Sequence, residues 1–342
     1  MDDALSSLLN GVRPQGAVFD QSVFNPPWSL RFVERAPVTL LTMLSGDAWI
    51  VPDDGEPVPL RHGDLAIVVG PEPYTVADSP DTAPLALIGD ARRWTSPEGV
   101  PIHDELPMCG PRRDDGPPAE GPWTVLLKGA YHVGGSVSRR VLDALPRIAR
   151  VPAAAATCPA LDMIEHEIGR DVPGQQAVLD RLLELLLVAT LREWFDLPGG
   201  HAPAWYSAHG DPVVGRALKL IHGDPARPWT VASLAAEAGA SRARFARRFT
   251  DLVGQPPMAY LTDWRICWAA DLLATTDATV DAVSHQVGYA NAYALSVAFK
   301  RTMGVRPTEH RALARAAEQA EQAGEAEQAH QAGQGAPVGA TV

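Results

Sequence analysis

The sequence predicts an α+β chain in three parts: an N-terminal β-barrel or sandwich, a helical connector, and a C-terminal all-α domain made of two helix-turn-helix units. Three observations predict this. Up to residue 150 the apolar residues fall in strand-sized runs between turn residues; after Pro159 they recur at helical spacing; and from 212 to 313 a pattern of short helix, glycine and second helix occurs twice. A length of 342 residues suits about two domains with some chain left over. An apolar share of 46% beside 20% charged residues excludes a fibrous or wholly disordered chain.

In residues 1–150 the runs are Val38–Leu44, Ala48–Val51, Leu65–Val69, Leu85–Ile88 and Val125–Leu127. Turn sequences such as Ser45-Gly46-Asp47, Asp53-Asp54-Gly55 and His62-Gly63-Asp64 bound them, which fits short antiparallel strands. Inside such a barrel Trp28, Phe32, Met43, Trp49 and Tyr74 are candidates to line a pocket for an apolar or mixed small molecule, with ordinary core as the competing role.

Residues 151–196 form the connector. Leu161, Ile164 and Ile168 mark one helix, and Leu179 through Leu191 to Trp194 mark a second, divided from the first by Asp171-Val172-Pro173-Gly174. Apolar residues cover more than half of their circumference, more than a helix packed on one neighbour needs. A dimer interface through Leu179, Leu182, Leu183, Leu186 and Leu187 is therefore expected, with core packing on the barrel as the alternative. Residues 197–211, with their Gly, Pro and His, read as a linker.

The third part, 212–313, opens with a helix over Val213–Ile221 that stops at His222-Gly223-Asp224-Pro225. Thr230 is placed to cap a second helix, Gly239 to make a sharp turn, and Ser241 to cap a third. Going round that third helix at about 100° per residue, Phe249 and Leu252 fall beside Phe245 and anchor it. Arg247 and Ala243 point away, Ala246 lies beside them, and Arg242, Arg244 and Arg248 flank that face. Small and basic residues facing outward on the second helix of such a unit suit entry into a major groove. The pattern then repeats after a long connecting helix from Pro256-Pro257. Thr279 begins a helix with Val280, Val283 and Val287 inward, Gly288 turns, and Asn291 caps a helix anchored by Leu295 and Phe299. Its outward face holds Tyr293, Ser296, Val297 and Lys300, with Arg301 at the edge.

A net charge of -12 argues against nucleic acid when taken whole, but its distribution reverses the argument locally. Residues 1–210 carry -12, residues 211–313 carry +3, and residues 314–342 carry -3. The cations of the middle segment cluster at Arg242, Arg244, Arg247 and Arg248, a positive patch inside an acidic chain. Residues 314–342 have almost no large apolar side chain and read as a disordered tail. The acidic start lacks a signal peptide's basic and apolar regions, and Leu182–Leu191 is far shorter than the roughly 20 residues that cross a bilayer. A cytoplasmic chain without a membrane partner is expected. Cys109, Cys158 and Cys267 are far apart and without Cys-x-x-Cys spacing, so neither a disulfide framework nor a zinc knuckle is indicated.

Residues 212–313 resemble the DNA-binding domain of the AraC/XylS family. The resemblance is carried by the run Trp229-Thr-Val-Ala-Ser-Leu-Ala-Ala-Glu-Ala-Gly-Ala-Ser-Arg-Ala-Arg-Phe-Ala-Arg-Arg-Phe249, by Gly254-Gln-Pro-Pro-Met-Ala-Tyr-Leu261 with Arg265, and by Val287-Gly-Tyr289, Ala298-Phe-Lys-Arg301 and Gly304-Val-Arg-Pro307. It implies DNA contacts from Arg242, Ala243, Arg244, Ala246, Arg247 and Arg248 in the first unit, and from Asn291, Tyr293, Ser296, Val297, Lys300 and Arg301 in the second. Ala292 and Val297 stand where relatives often place long polar residues. The first unit is then expected to supply most hydrogen-bonded base readout, with Tyr293 and Val297 offering apolar contact.

The N-terminal part resembles the cupin-like effector domain of one branch of that family, through Leu40 to Trp49, Leu60-Arg-His-Gly-Asp-Leu-Ala-Ile-Val-Val-Gly-Pro-Glu-Pro-Tyr74 and Leu142-Asp-Ala-Leu-Pro146. A catalytic cupin holds a metal through several imidazoles. Here Thr39, Leu40, Leu41 and Tyr74 take the expected ligand positions and His62, His103 and His132 are scattered, so no metal, cofactor or catalytic residue is expected. Cys109 with His103 or His132 is the zinc alternative. Together the resemblances imply a regulator of transcription, not an enzyme. It would bind double-stranded DNA as a homodimer, be controlled by a small-molecule effector in its N-terminal domain, and have RNA polymerase as a further partner. The alternatives are a cupin-type metalloenzyme fused to a DNA-binding module, and a constitutive DNA-binding dimer without effector.

Overall fold

The computed structural model describes residues 12–14, 22–89, 94–102, 123–133, 135–153, 158–168, 170, 172–198, 202–316 and 319. They fall into two compact units that part between Ser207 and Ala208, except that Gly135–Val137 group with the second. His103 and Cys109 lie outside the described residues, as does the tail beyond 319.

Among the described residues the first unit is a sandwich of two six-stranded sheets. One runs β1 (Val12–Pro14), β11 (Thr124–Val133), β4 (Val38–Ser45), β7 (Leu65–Val69), β12 (Ile148–Val151), with β2 (Ser22–Phe24) also pairing β11. The other runs β10 (Trp94–Thr95), β9 (Ala86–Ile88), β3 (Ser29–Phe32), β8 (Tyr74–Ala77), β5 (Ala48–Pro52), β6 (Val58–Leu60). The alternation of β4 sorts its side chains between two cores. Leu41 and Met43 turn between the sheets, where they meet Phe24, Trp28, Leu30 and Val76. Val38 and Leu40 turn outward, under helices. The strand runs read from sequence coincide with β4, β5, β7, β9 and the start of β11.

Helices α1 (Ser136–Leu142), α2 (Pro159–Ile168) and α3 (Gln175–Asp196) follow, and α2 packs on α3. The expected dimer interface is corrected here. Leu182, Leu183, Leu186 and Leu187 are buried within the chain in one core with Val38, Leu40, Ile67 and Tyr131, and Leu179 is buried as well, so the broad apolar face of α3 serves the outer surface of the first sheet. Gly129 makes this close seating possible. A Cβ there would lie 3.0 Å from Leu183 Cδ2, and beside it the Tyr131 hydroxyl donates to the Leu183 carbonyl at 3.0 Å. The stretch expected as a linker, 197–211, contains α4 (Ala204–Ser207). Trp205 and Tyr206 pack on the same core, with the Tyr206 ring 4.9 Å from Phe195, because two aromatic side chains there have enough apolar area to dock.

The second unit is helical: α5 (Val214–Gly223), α6 (Val231–Glu237), α7 (Arg242–Val253), α8 (Pro257–Thr275), α9 (Val280–Gln286), α10 (Ala292–Met303), and a last helix over 307–316. Its halves repeat. Thr230 and Thr279 cap α6 and α9 by accepting from the Ser233 and Ala282 amides, Gly239 and Gly288 turn at positive φ, and Gly254 and Gly304 end α7 and α10 in the left-handed region. In the second half Val283, Val287, Leu295 and Phe299 close a core against Ile266, Ala270 and Leu273 of α8.

Candidate nucleic-acid interface

In α7, Phe245 and Phe249 are buried with their rings edge to face 5.7 Å apart, and Phe249 meets Tyr260 of α8 at 5.8 Å. The third anchor is Val253, not Leu252, which is 38% exposed. Anchors at i, i+4 and i+8 turn the buried side about 30° from the one that Leu252 would give, taking about 100° per residue. The exposed side then centres on Arg247, with Ala243, Arg244 and Asp251 around it and Arg242 exposed at the helix start. Ala246 is half-buried. The Arg247 side chain is 88% exposed, its Nε 4.0 Å from the Asp251 carboxylate, a surface pair too weak to hold it.

Arg248 is placed differently. Its Nε donates to Asp211 Oδ2 at 2.8 Å and its Nη2 bonds the same oxygen, while Asp211 Oδ1 accepts from the Val213 and Val214 amides at 3.0 and 2.9 Å. One carboxylate thus caps α5 and clamps α7, and Arg248, expected as a DNA contact, ties these helices together. The Arg248 hydrogen bonds, helped by those of the two amides, pull the Asp211 carboxyl down to about 2.

In α10 the buried side is Leu295, Ala298 and Phe299, and the outward side shows Tyr293 at 80% and Val297 at 54% exposure, with Lys300 and Arg301 exposed. Two expected contacts are already committed inside the chain. The Asn291 Oδ1 accepts from the Ala294 amide at 2.9 Å, and the Ser296 hydroxyl donates to the Ala292 carbonyl at 2.7 Å. Each side chain thus has a local structural role beside the DNA contact expected of it.

Sequence reasoning missed the role of Arg265, half-buried on α8. Its Nε donates to the Pro225 carbonyl at 2.7 Å and its Nη2 to the Arg227 carbonyl at 2.8 Å, and its guanidinium lies 5.9 Å from the Tyr289 ring. It therefore joins the loop before α6 to the turn after α9, one from each helix-turn-helix unit. The available signal was the lone arginine of this helix, set between Trp264 and Ile266.

Between the sheets of the first unit, Trp28, Phe32, Met43 and Tyr74 all belong to the inner core. Trp49 does not. It alternates with the buried Ala48 and Ile50 and so stands on the outer face of its sheet, a correction that follows from strand parity. Phe32 and Tyr74 stack at 5.1 Å, and Lys128 Nζ lies 5.0 Å over the Phe32 ring while pairing with Glu34. Burial, with the Glu34 charge nearby, pushes the Tyr74 phenol well above its ordinary range. β4 turns Thr39, Leu41 and Met43 to the interior and β8 begins with Tyr74, a donor set that does not suit a catalytic metal; His62 is exposed.

Comparison with known proteins agrees with this layout. Residues 3–196 match the Cupin family and residues 234–312 the helix-turn-helix domain family. A putative AraC-like transcription regulator of Streptomyces lividans is 32% identical over 315 residues, 90% of this chain and 98% of that protein. Another, from Streptomyces antibioticus, is 32% identical over 293 residues, 84% of this chain and 89% of that protein. A solved structure of the DNA-binding domain of AdpA in complex with a target DNA is 34% identical, covering 31% of this chain and 96% of that one with a TM-score of 0.30. The chain belongs to the AraC-like transcription regulators, with a cupin domain ahead of a DNA-binding helix-turn-helix domain.

Proposed function

We propose that this regulator reads one extended site on double-stranded DNA with both helix-turn-helix units, under the control of a small molecule held between the sheets of its cupin domain. The observation that carries the reading is the exposed face of α7. Arg244 and Arg247 stand on a helix fixed by Phe245, Phe249 and Val253, and Ala243 permits close approach to a groove floor. Arg242, Lys300 and Arg301 serve as phosphate contacts that set register.

For the effector, the Phe32 and Tyr74 stack beside the Lys128–Glu34 pair supports a ligand with an apolar body and a charged group. Only a difference in its affinity for two arrangements of the protein drives the response. With Leu179, Leu182, Leu183, Leu186 and Leu187 committed to the core, dimerisation is assigned to Val178 and Leu185, seven residues apart on the opposite side of α3 and exposed. RNA polymerase is the further partner, the cytoplasm the location, and catalysis no part of the activity.

Capture of genomic fragments by the full chain tests the first half. One or a few promoter sites are expected, and uniform capture of all fragments rejects it. Thermal shift against a metabolite panel tests the second, since a ligand at 100 times its Kd stabilises by about 2.7 kcal/mol. Stoichiometric metal in the purified protein would instead favour a metalloenzyme fused to a DNA-binding module.

A further inference from the structure

We propose that the second helix-turn-helix unit reads its half of the site through thymine 5-methyl groups, with Tyr293 and Val297 as the specificity-determining contacts. This rests on the DNA-binding reading above. Polar side chains on the outward side of α10 are partly engaged: Asn291 Oδ1 and the Ser296 hydroxyl are bonded within their own helix, and Ala292 has no polar group to offer. Two large side chains with apolar surface, Tyr293 and Val297, stand there one turn apart and open to solvent. With Val280 and Pro307 they line a concavity of about 320 Å³, together with Ser296, Thr308 and the cationic Lys300 and Arg306.

A surface that sets exposed apolar side chains beside cationic ones fits an occupant that carries apolar groups between anionic walls. The major groove over thymines is such an occupant: methyl groups project from its floor, and phosphates line both sides. Four residues of helix advance about 6 Å, close to two base-pair steps of about 3.4 Å. Tyr293 and Val297 thus match methyls two base pairs apart. The two units then read by different chemistry, guanidinium groups of α7 on guanines and apolar side chains of α10 on thymines.

The test uses the full chain and a site selected by it from random duplex DNA. Each thymine in turn is replaced by deoxyuridine, which keeps base pairing and the O4 acceptor and removes only the methyl. In the half facing α10, affinity should fall about fourfold per contacted methyl, the effect of unburying one CH2-sized group. In the half facing α7 it should not change. Val297→Ala should shrink the thymine-to-uridine difference at one position and leave it in place at the others. Equal affinity for thymine and uridine throughout overturns the proposal, and because that change is in the DNA, no folding defect can mimic it. Val297→Ala or Tyr293→Ala chains that bind the site normally but fail to activate a reporter overturn it too, and assign the face to a protein. If no sequence is enriched at all, the DNA-binding reading itself fails before this one is reached.

Discussion

The guanidinium of Arg265 fills the space that a side chain on Gly288 would need. A Cβ on Gly288 would lie 2.8 Å from Arg265 Nη2 and 2.5 Å from the Ala226 carbonyl oxygen, and Gly288 has a φ of 82°. The turn of the second helix-turn-helix unit is therefore pressed against the loop of the first, with Arg265 between them. Gly288→Ala should destabilise the C-terminal unit by more than the roughly 1–2 kcal/mol of the left-handed backbone alone, because backbone must also move. Urea unfolding followed by far-UV circular dichroism measures this. An unchanged midpoint would show that the two units do not depend on this contact.

Asp211 makes the same unit acid-sensitive. Its carboxyl is held down to about 2 when folded, by Arg248 first and then by the Val214 and Val213 amides, against 3.8 for the free side chain. A carboxylate with a lowered folded pKa stabilises above its unfolded pKa, and that contribution disappears as pH falls from about 4 toward 2. Asp211→Asn should lose stability at neutral pH and flatten the acid limb of the melting curve. A variant whose acid limb matches the parent's would place the sensitivity elsewhere.

Adjacent arginines on α7 should behave oppositely toward DNA. Arg247→Ala should flatten the preference at one base pair by about 1–3 kcal/mol in competition binding, as loss of a bidentate base contact does. Arg248→Ala should melt earlier yet keep the parent's sequence preferences, since its guanidinium is already engaged by Asp211. Equal losses on every sequence for Arg247→Ala would reduce it to a phosphate contact.

The repeated units were legible because their signals are local. Cap, turn glycine and aromatic anchors stand at fixed spacings, and Thr230, Gly239, Phe245 and Phe249 have their counterparts in Thr279, Gly288, Leu295 and Phe299. What sequence concealed was long-range. Nothing local marks Asp211 as the partner of a residue 37 positions on, or Arg265 as bonded to carbonyls 38 and 40 positions back. The leucines of α3 have the periodicity of any buried helix face, and periodicity does not say whether a sheet or a second copy covers it. Trp49 was misplaced for a simpler reason, that its hydrophobicity outweighed its strand parity.

That ambiguity on α3 separates two kinds of substitution. Leu186 is fully buried against the first sheet, so Leu186→Ala should lower the stability of the N-terminal unit by about 2–5 kcal/mol, the usual effect of an unfilled core space. Leu185 is 52% exposed on the other side, and Leu185→Glu removes little packing within the chain. If a second copy docks there, Leu185→Glu, alone or with Val178→Glu, should shift sedimentation from dimer to monomer with an almost unchanged melting temperature, because charge is placed where an apolar surface must be desolvated. A dimer that survives both substitutions would put the interface on another face, and a monomeric parent would remove the need for one.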